Sequence, residues 1–129
     1  MYTLFIKIAA CLAMVGVILG AFAAHALKSL VTDTTTLSVF ETGVRYHLYH
    51  ALALLLVGIL YSAYPNIFIK VAGYLFIAGI VLFSGSLYLL TYIKATAAAQ
   101  YLWVGAITPL GGLCFIAGWA TIAVGVSKR

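Results

Sequence analysis

The stretch FETGVRYHLYHALALLLVGILYSAYP, residues 40–65, decides the fold. Its second half is soluble in hydrocarbon, yet its first half carries a carboxylate, a guanidinium and two imidazoles. Pro65 has no amide proton to give a helical ladder and restricts the residue before it, so a helix is expected to end there. Crossing a bilayer core of about 30 Å takes about 20 helical residues. Counted back from Tyr64, that crossing reaches Arg45 and Tyr46. The unbroken apolar run 51–60 is too short to cross alone, which puts His47 and His50 inside the membrane, in the layer next to the preceding loop. Polarity at the start of this helix is therefore intramembrane polarity.

Composition agrees. Of 129 residues, 66% are hydrophobic and 7% charged, and the mean hydropathy is +1.20. Soluble domains carry roughly a quarter charged residues, so this is an integral membrane protein. The net charge of +5 would suggest nucleic acid if it formed a patch. Instead the basic residues stand singly between apolar stretches, with only Lys128 and Arg129 adjacent, and they read as topology and headgroup contacts. Cys11 and Cys114 both lie in apolar stretches, where cysteine behaves as a small hydrophobe.

Four stretches reach spanning length: 4–26, 46–64, 67–92 and 101–126. Together they make one all-α membrane domain over residues 1–129, a four-transmembrane-helix antiparallel bundle with both termini on one face. A polar loop of about 15 residues, a tight turn at Tyr64-Pro65-Asn66 and a short link KATAAAQ are expected to join them. Lys7, an apolar run and AFA at 21–23 also fit a cleaved signal peptide. Apolar character precedes Lys7 as well as following it, so the first stretch is expected to remain as a span. Its small residues Ala9, Ala13, Gly16, Gly20, Ala23 and Ala24 form one helical stripe, a seam for close packing. Tyr2, Tyr61, Tyr64, Tyr74 and Trp119 read as one aromatic belt, and Tyr46, Tyr49, Tyr88, Tyr92, Tyr101 and Trp103 as the other. Lys7, Lys70, Lys128 and Arg129 against Lys28, Arg45 and Lys94 place the termini in the cytoplasm, in the plasma (inner) membrane.

The polar residues divide by helical phase. Ser38 with Glu41 fits a capping box. Glu41 and Arg45, four apart, are expected to form an interfacial ion pair, or alternatively to orient a substrate. His47 and His50 share a stripe with Leu54, Val57 and Tyr61 on the opposite side and need other partners. Candidates at the same depth are His25, Ser84, Ser86, Tyr88, Thr91 and Thr108, which would gather in one half of the membrane. Pro109, with Gly111 and Gly112, is expected to kink the fourth helix, and Gly85 to serve packing of the third.

Each imidazole has three readings. It can tie helices together by hydrogen bonds worth about 1 kcal/mol apiece. As an intramembrane ionisable group it can belong to a proton relay or small-ligand site. It can also bind a metal, but His-x-x-His needs a third ligand and only His25 is available. Ser84, Ser86 and Tyr88 read as interhelical hydrogen-bonding groups. No carboxylate-His-Ser constellation and no phosphate-cradling loop occurs, so no catalytic residue, metal or cofactor is expected.

The segments GAFAAHALK, FETGVRYHLYHALALLLVGIL, LFSGSLYLL and ITPLGGLCFIAGW together resemble a bacterial membrane family known as domain of unknown function 423, whose eukaryotic relatives are called transmembrane protein 256. The motif residues are Gly20, His25, Glu41, Tyr46, Tyr49, His50, Ser84, Gly85, Ser86, Tyr88, Thr108, Pro109, Gly111 and Gly112. The resemblance implies a small four-helix membrane protein and no assigned activity. Two function classes fit beside the lipid bilayer itself. One is an accessory or assembly component packing against a membrane-protein partner, which almost no extramembrane mass and a small-residue seam favour. The other is a homo-oligomeric transporter or channel for protons, ions or a small solute.

Overall fold

The computed structural model describes residues 1–128; Arg129, counted above with the basic residues of the terminal face, lies outside them. Four helical spans are long and apolar enough to cross a membrane: span 1, Thr3–Leu30; span 2, Thr34–Leu60; span 3, Ile67–Ala95; and span 4, Ala99–Ser127. They form the expected antiparallel bundle. Spans 2 and 3 hold its centre, span 1 packs chiefly on span 2, and span 4 on span 3.

Both termini lie at the face of the turn between spans 2 and 3. The Tyr2 amide donates to the Gly58 carbonyl at 2.8 Å, and Asn66 Nδ2 donates to the Gly125 carbonyl at 2.9 Å. The Asn66 side chain also caps span 3, accepting from the amides of Phe68 and Ile69. Lys70 Nζ lies 5.3 Å from the Tyr2 ring centre and Lys128 Nζ 4.5 Å from that of Phe68. These cations sit where an aromatic face offsets part of their lost hydration.

Helix boundaries differ from the sequence expectation in ways that move the site. Span 2 begins at Thr34, before the expected helix start at Ser38 and well before the expected membrane entry at Arg45 and Tyr46, and its cap is Asp33 rather than Ser38 with Glu41. The Asp33 carboxylate accepts from the amides of Thr35 and Thr36 and from the Thr36 hydroxyl at 2.6 Å. That hydroxyl, then the two amides, holds the carboxyl below the usual carboxylate range. Ser38 is mid-helix, its carbonyl accepting from the Thr42 hydroxyl. The expected polar loop is mostly helix: after a break at His25 the chain continues as Ala26–Leu30. The break has a local cause. His25 Nδ1 occupies the Ala21 carbonyl at 3.0 Å, the acceptor an α-helix reserves for the amide of residue 25. That amide turns instead to Phe22.

Span 2 also ends early, at Leu60, with turns before Pro65. In span 4 the helix changes type just before Pro109. A 3-10 segment, Ala99–Ala106, precedes it, and Pro109 lies in the first turn of the α-helix Thr108–Ser127, where its missing amide proton costs nothing. Span 3 contains a π-helical segment, Ile80–Ser84, and hydrophobic periodicity gave no sign of it.

Two apolar clusters hold the bundle. Toward the terminal face Phe5, Leu54, Val57, Ile69, Ala72 and Phe76 are buried; toward the opposite face Ala23, Leu27, Val31, Phe40 and Val44 form a second cluster. Glycines let aromatic rings sit against helix backbones. A Cβ on Gly118 would lie 2.6 Å from the Phe76 ring, and Cβ atoms on Gly73, Gly79 and Gly111 would run into Phe5, Phe115 and the Phe83 backbone respectively. The small stripe of span 1 is consumed the same way. Ala9, Gly16 and Ala23 are buried, with Gly16 against Leu48 and His47 of span 2 and Gly20 against Val44. Gly112 makes only ordinary contact with Phe83, and a Cβ on Gly85, expected to pack a helix, would meet only the Ile80 carbonyl oxygen, at 4.0 Å.

These contacts separate two glycines of similar appearance. Gly111→Ala drives a methyl into backbone that cannot yield and should cost on the order of 1–3 kcal/mol. Gly85→Ala should be neutral or stabilising by up to about 1 kcal/mol, because alanine is the better helix former. Thermal unfolding of both variants in detergent checks this; equal losses would contradict the packing described.

Candidate functional site

Span 2 places His47 and His50 between the two apolar clusters. His50 lies about 24 Å along the helix from Thr34 and about 15 Å from Leu60, well inside span 2. The expected stripe does hold: His47 and His50 are buried on the same side as Leu54 and Val57.

His47 joins three spans. Its Nε2 lies 2.8 Å from the Leu12 carbonyl of span 1, and its Nδ1 2.9 Å from the Tyr88 hydroxyl of span 3. Because a carbonyl only accepts, Nε2 carries the proton. Nearby, the fully buried Ser84 hydroxyl donates to the Gly43 carbonyl of span 2 at 2.7 Å. A Cβ on Gly43 would lie 2.9 Å from the Tyr88 ring, so glycine there lets Tyr88 reach His47.

His50 faces span 4. Its Nδ1 lies 2.8 Å from the Tyr46 carbonyl, and Trp119 Nε1 donates to its Nε2 at 3.1 Å. Tyr46 supplies an acceptor and Trp119 only a donor, so the ring is the neutral Nδ1–H tautomer. It stacks on Phe115 at 3.5 Å between ring centres, 10° from parallel, and meets Phe76 edge-on at 5.4 Å. Those rings enclose an imidazole that has no hydrogen-bonding valence left.

Ser86 and Thr108 form a third tie, between spans 3 and 4, with hydroxyl oxygens 2.6 Å apart; the Ser86 hydroxyl also donates to Phe83. Thr91 returns to its own helix, on the Leu87 carbonyl. The sequence-predicted cluster is thus several separate ties rather than one pool. His25 is exposed and outside all of them, because its ring is held on span 1 itself. Glu41 and Arg45 are both exposed, and no ion pair joins them among the described residues; at an exposed site hydration competes with so flexible a pair. No three His, Cys, Asp or Glu side chains converge as a metal site among the described residues.

Trp119 is the residue sequence reasoning misplaced. It reads as a belt residue by type, yet it is the partner of His50. Had span 2 been started at Asp33-Thr34, His50 and Trp119 would have fallen at similar depth.

The chain matches the family described as "Protein of unknown function (DUF423)" over residues 19–112, a region holding both buried histidines. It is similar to UPF0382 membrane protein YwdK of Bacillus subtilis (strain 168), 46% identical over 125 residues that cover 96% of each chain. It is also similar to UPF0382 membrane protein SH2409 of Staphylococcus haemolyticus (strain JCSC1435), 42% identical over 97% of this chain and 96% of that one. A third relative, UPF0382 membrane protein SAB0533 of Staphylococcus aureus (strain bovine RF122 / ET3-1), is 43% identical over the same shares. No solved structure matches.

The geometry makes the His50–Trp119 tie measurable. His50→Phe removes the ring nitrogens and should cost about 1–3 kcal/mol, with His50→Gln recovering part of the loss. Trp119→Phe should cost less on its own and little more when added to His50→Phe, a coupling of about 0.5–1.5 kcal/mol. Unfolding of the single and double variants in detergent measures it; strict additivity would mean that the two side chains do not interact.

Proposed function

From the premise that the chain belongs to the DUF423 family of membrane proteins, we propose that it is a non-enzymatic accessory or assembly component packing against larger membrane partners. One observation carries this reading. Among the described residues, no buried side-chain nitrogen or oxygen lacks a hydrogen-bond partner, so the interior polar groups are spent on holding helices together. That leaves no string of free polar groups to conduct a solute through the protomer. What the chain offers outward is the apolar surface of spans 1 and 4, including Val17 at 63% exposure and Ile116 at 67%. With little mass outside the membrane, contact through those faces is the means of action open to it.

The proposed setting is the plasma (inner) membrane with both termini in the cytoplasm. Lys7, Lys70 and Lys128 on the terminal face, joined by Arg129 in the sequence, support it against Lys28, Arg45 and Lys94 opposite. A carboxyl-terminal tag should be cleaved by protease in inverted vesicles and protected in intact cells; the reverse would invert the topology.

A photo-crosslinking residue in living cells tests the role. At Val17 or Ile116 it should give a discrete adduct with a different protein, and at Phe76, which is fully buried, none. Adducts only between copies of this chain would overturn the accessory role in favour of an oligomeric transporter.

A further inference from the structure

The two buried histidines differ in what faces the nitrogen that lacks a proton. For His50 it is the Trp119 indole N–H, which can only donate. A second proton on His50 would set two N–H groups head to head among Phe76, Phe115 and Trp119 rings. For His47 it is the Tyr88 hydroxyl, which can donate or accept. The Ser84 hydroxyl lies beside Tyr88, one turn back on span 3, and donates to the Gly43 carbonyl.

This chain of groups has two complete states. With His47 neutral, Nε2–H donates to Leu12, the Tyr88 O–H donates to Nδ1, and Ser84 donates to Gly43. With His47 protonated, Nδ1–H donates to the Tyr88 oxygen, the Tyr88 O–H turns to Ser84 Oγ, and Ser84 still donates to Gly43. No buried donor is orphaned in either state, and no helix has to move. An orphaned donor would add about 1–3 kcal/mol to the larger cost of placing a charge in a dry interior.

Access comes from one side. A cleft of about 380 Å³ is lined by Leu27, Val31, Phe40, Tyr88, Tyr92 and Thr96, among others. It lies between spans 1, 2 and 3 toward the face where spans 1 and 2 connect, with the half-buried Tyr88 in its wall. Of the helices packed on His47, span 1 presents Leu12 and Gly16 and span 3 presents Tyr88. Tyr88 is the titratable group among these, and no carboxylate, lysine or arginine pairs with the ring among the described residues.

We propose that His47 and Tyr88 form a single-proton binding site, filled through this cleft from the face opposite the termini, while His50 is a fixed structural ring. A hydronium in the cleft gives its proton to the Tyr88 oxygen as the phenolic proton passes to His47 Nδ1. One O–H bond on Tyr88 breaks as another forms, water leaves, and the positive charge rests on the imidazole. The proposal goes beyond the accessory role and stands whether or not spans 1 and 4 carry a partner.

The test is an acid titration of the full chain in lipid nanodiscs, with ¹⁵N-labelled histidine and tryptophan, from about pH 8 to about pH 4.5, the range where imidazole charge changes. The His47 ring nitrogens should move to the imidazolium positions while His50 and the Trp119 indole stay unchanged. In Tyr88→Phe the His47 midpoint should fall by about one pH unit, the effect of one hydrogen bond to a charged group. An unchanged Trp119 indole signal certifies the fold of the variant, and the wild-type titration decides alone should the variant not fold. His50 charging before His47, or neither ring charging while the fold persists, would overturn the proposal. So would a Tyr88→Phe midpoint equal to that of the wild type.

Discussion

Inside a bilayer there is no water to satisfy a polar side chain, so each imidazole of span 2 must find its partners on the protein. This constraint organises the bundle. His47 can be satisfied only if the Leu12 carbonyl of span 1 and the Tyr88 hydroxyl of span 3 approach together. His50 can be satisfied only if span 4 brings Trp119 to it. Between them the two rings specify which helix lies on each side of span 2. The bulk of the attraction comes from contact area rather than these bonds. Glycines at 73, 79, 111 and 118 let Phe5, Phe115, Phe83 and Phe76 seat against backbone, where no hydrophobic effect drives helices together and close packing replaces it. Hydrogen bonds choose the register and packing supplies the depth.

Much of this was legible in residues 40–65 and their surroundings. Length and hydropathy give four spans, and the phase of His47 and His50 against Glu41 follows from helical geometry alone. The full length of span 2 was not legible, because its first turn carries two competing cap signals. Asp33 before three threonines is a cap signal, but Ser38 with Glu41 fits a capping box as well, and residues 34–45 look too polar for a span. Counting the crossing from Arg45 and Tyr46 set both histidines beside one face, while the helix itself extends back to Thr34. The candidate partners were then sought at that depth, where His25 was wrongly included and Trp119 was missed.

Other departures have no signal to read. The π-helical segment Ile80–Ser84 rotates the second half of span 3 relative to the first, and an apolar sequence permits this without marking it. His25 looked like a member of the cluster by type, yet an unoccupied carbonyl one turn back on its own helix was closer than any neighbouring span. The glycines were visible, but which of them seats a ring depends on the facing helix: Gly85 was read as a packing residue and Gly43 was not, and the structure reverses the two.

The central claim is that the two histidines are interhelical clasps whose partners fix their protonation pattern, and their tautomers test it most directly. Ring ¹⁵N spectra of the wild-type protein in lipid at neutral pH should report opposite tautomers, Nε2–H at His47 and Nδ1–H at His50, each in a single slow-exchanging form. Two Nε2–H rings, or two rings averaging between tautomers, would contradict the account, because the carbonyls of Leu12 and Tyr46 would then not be holding them.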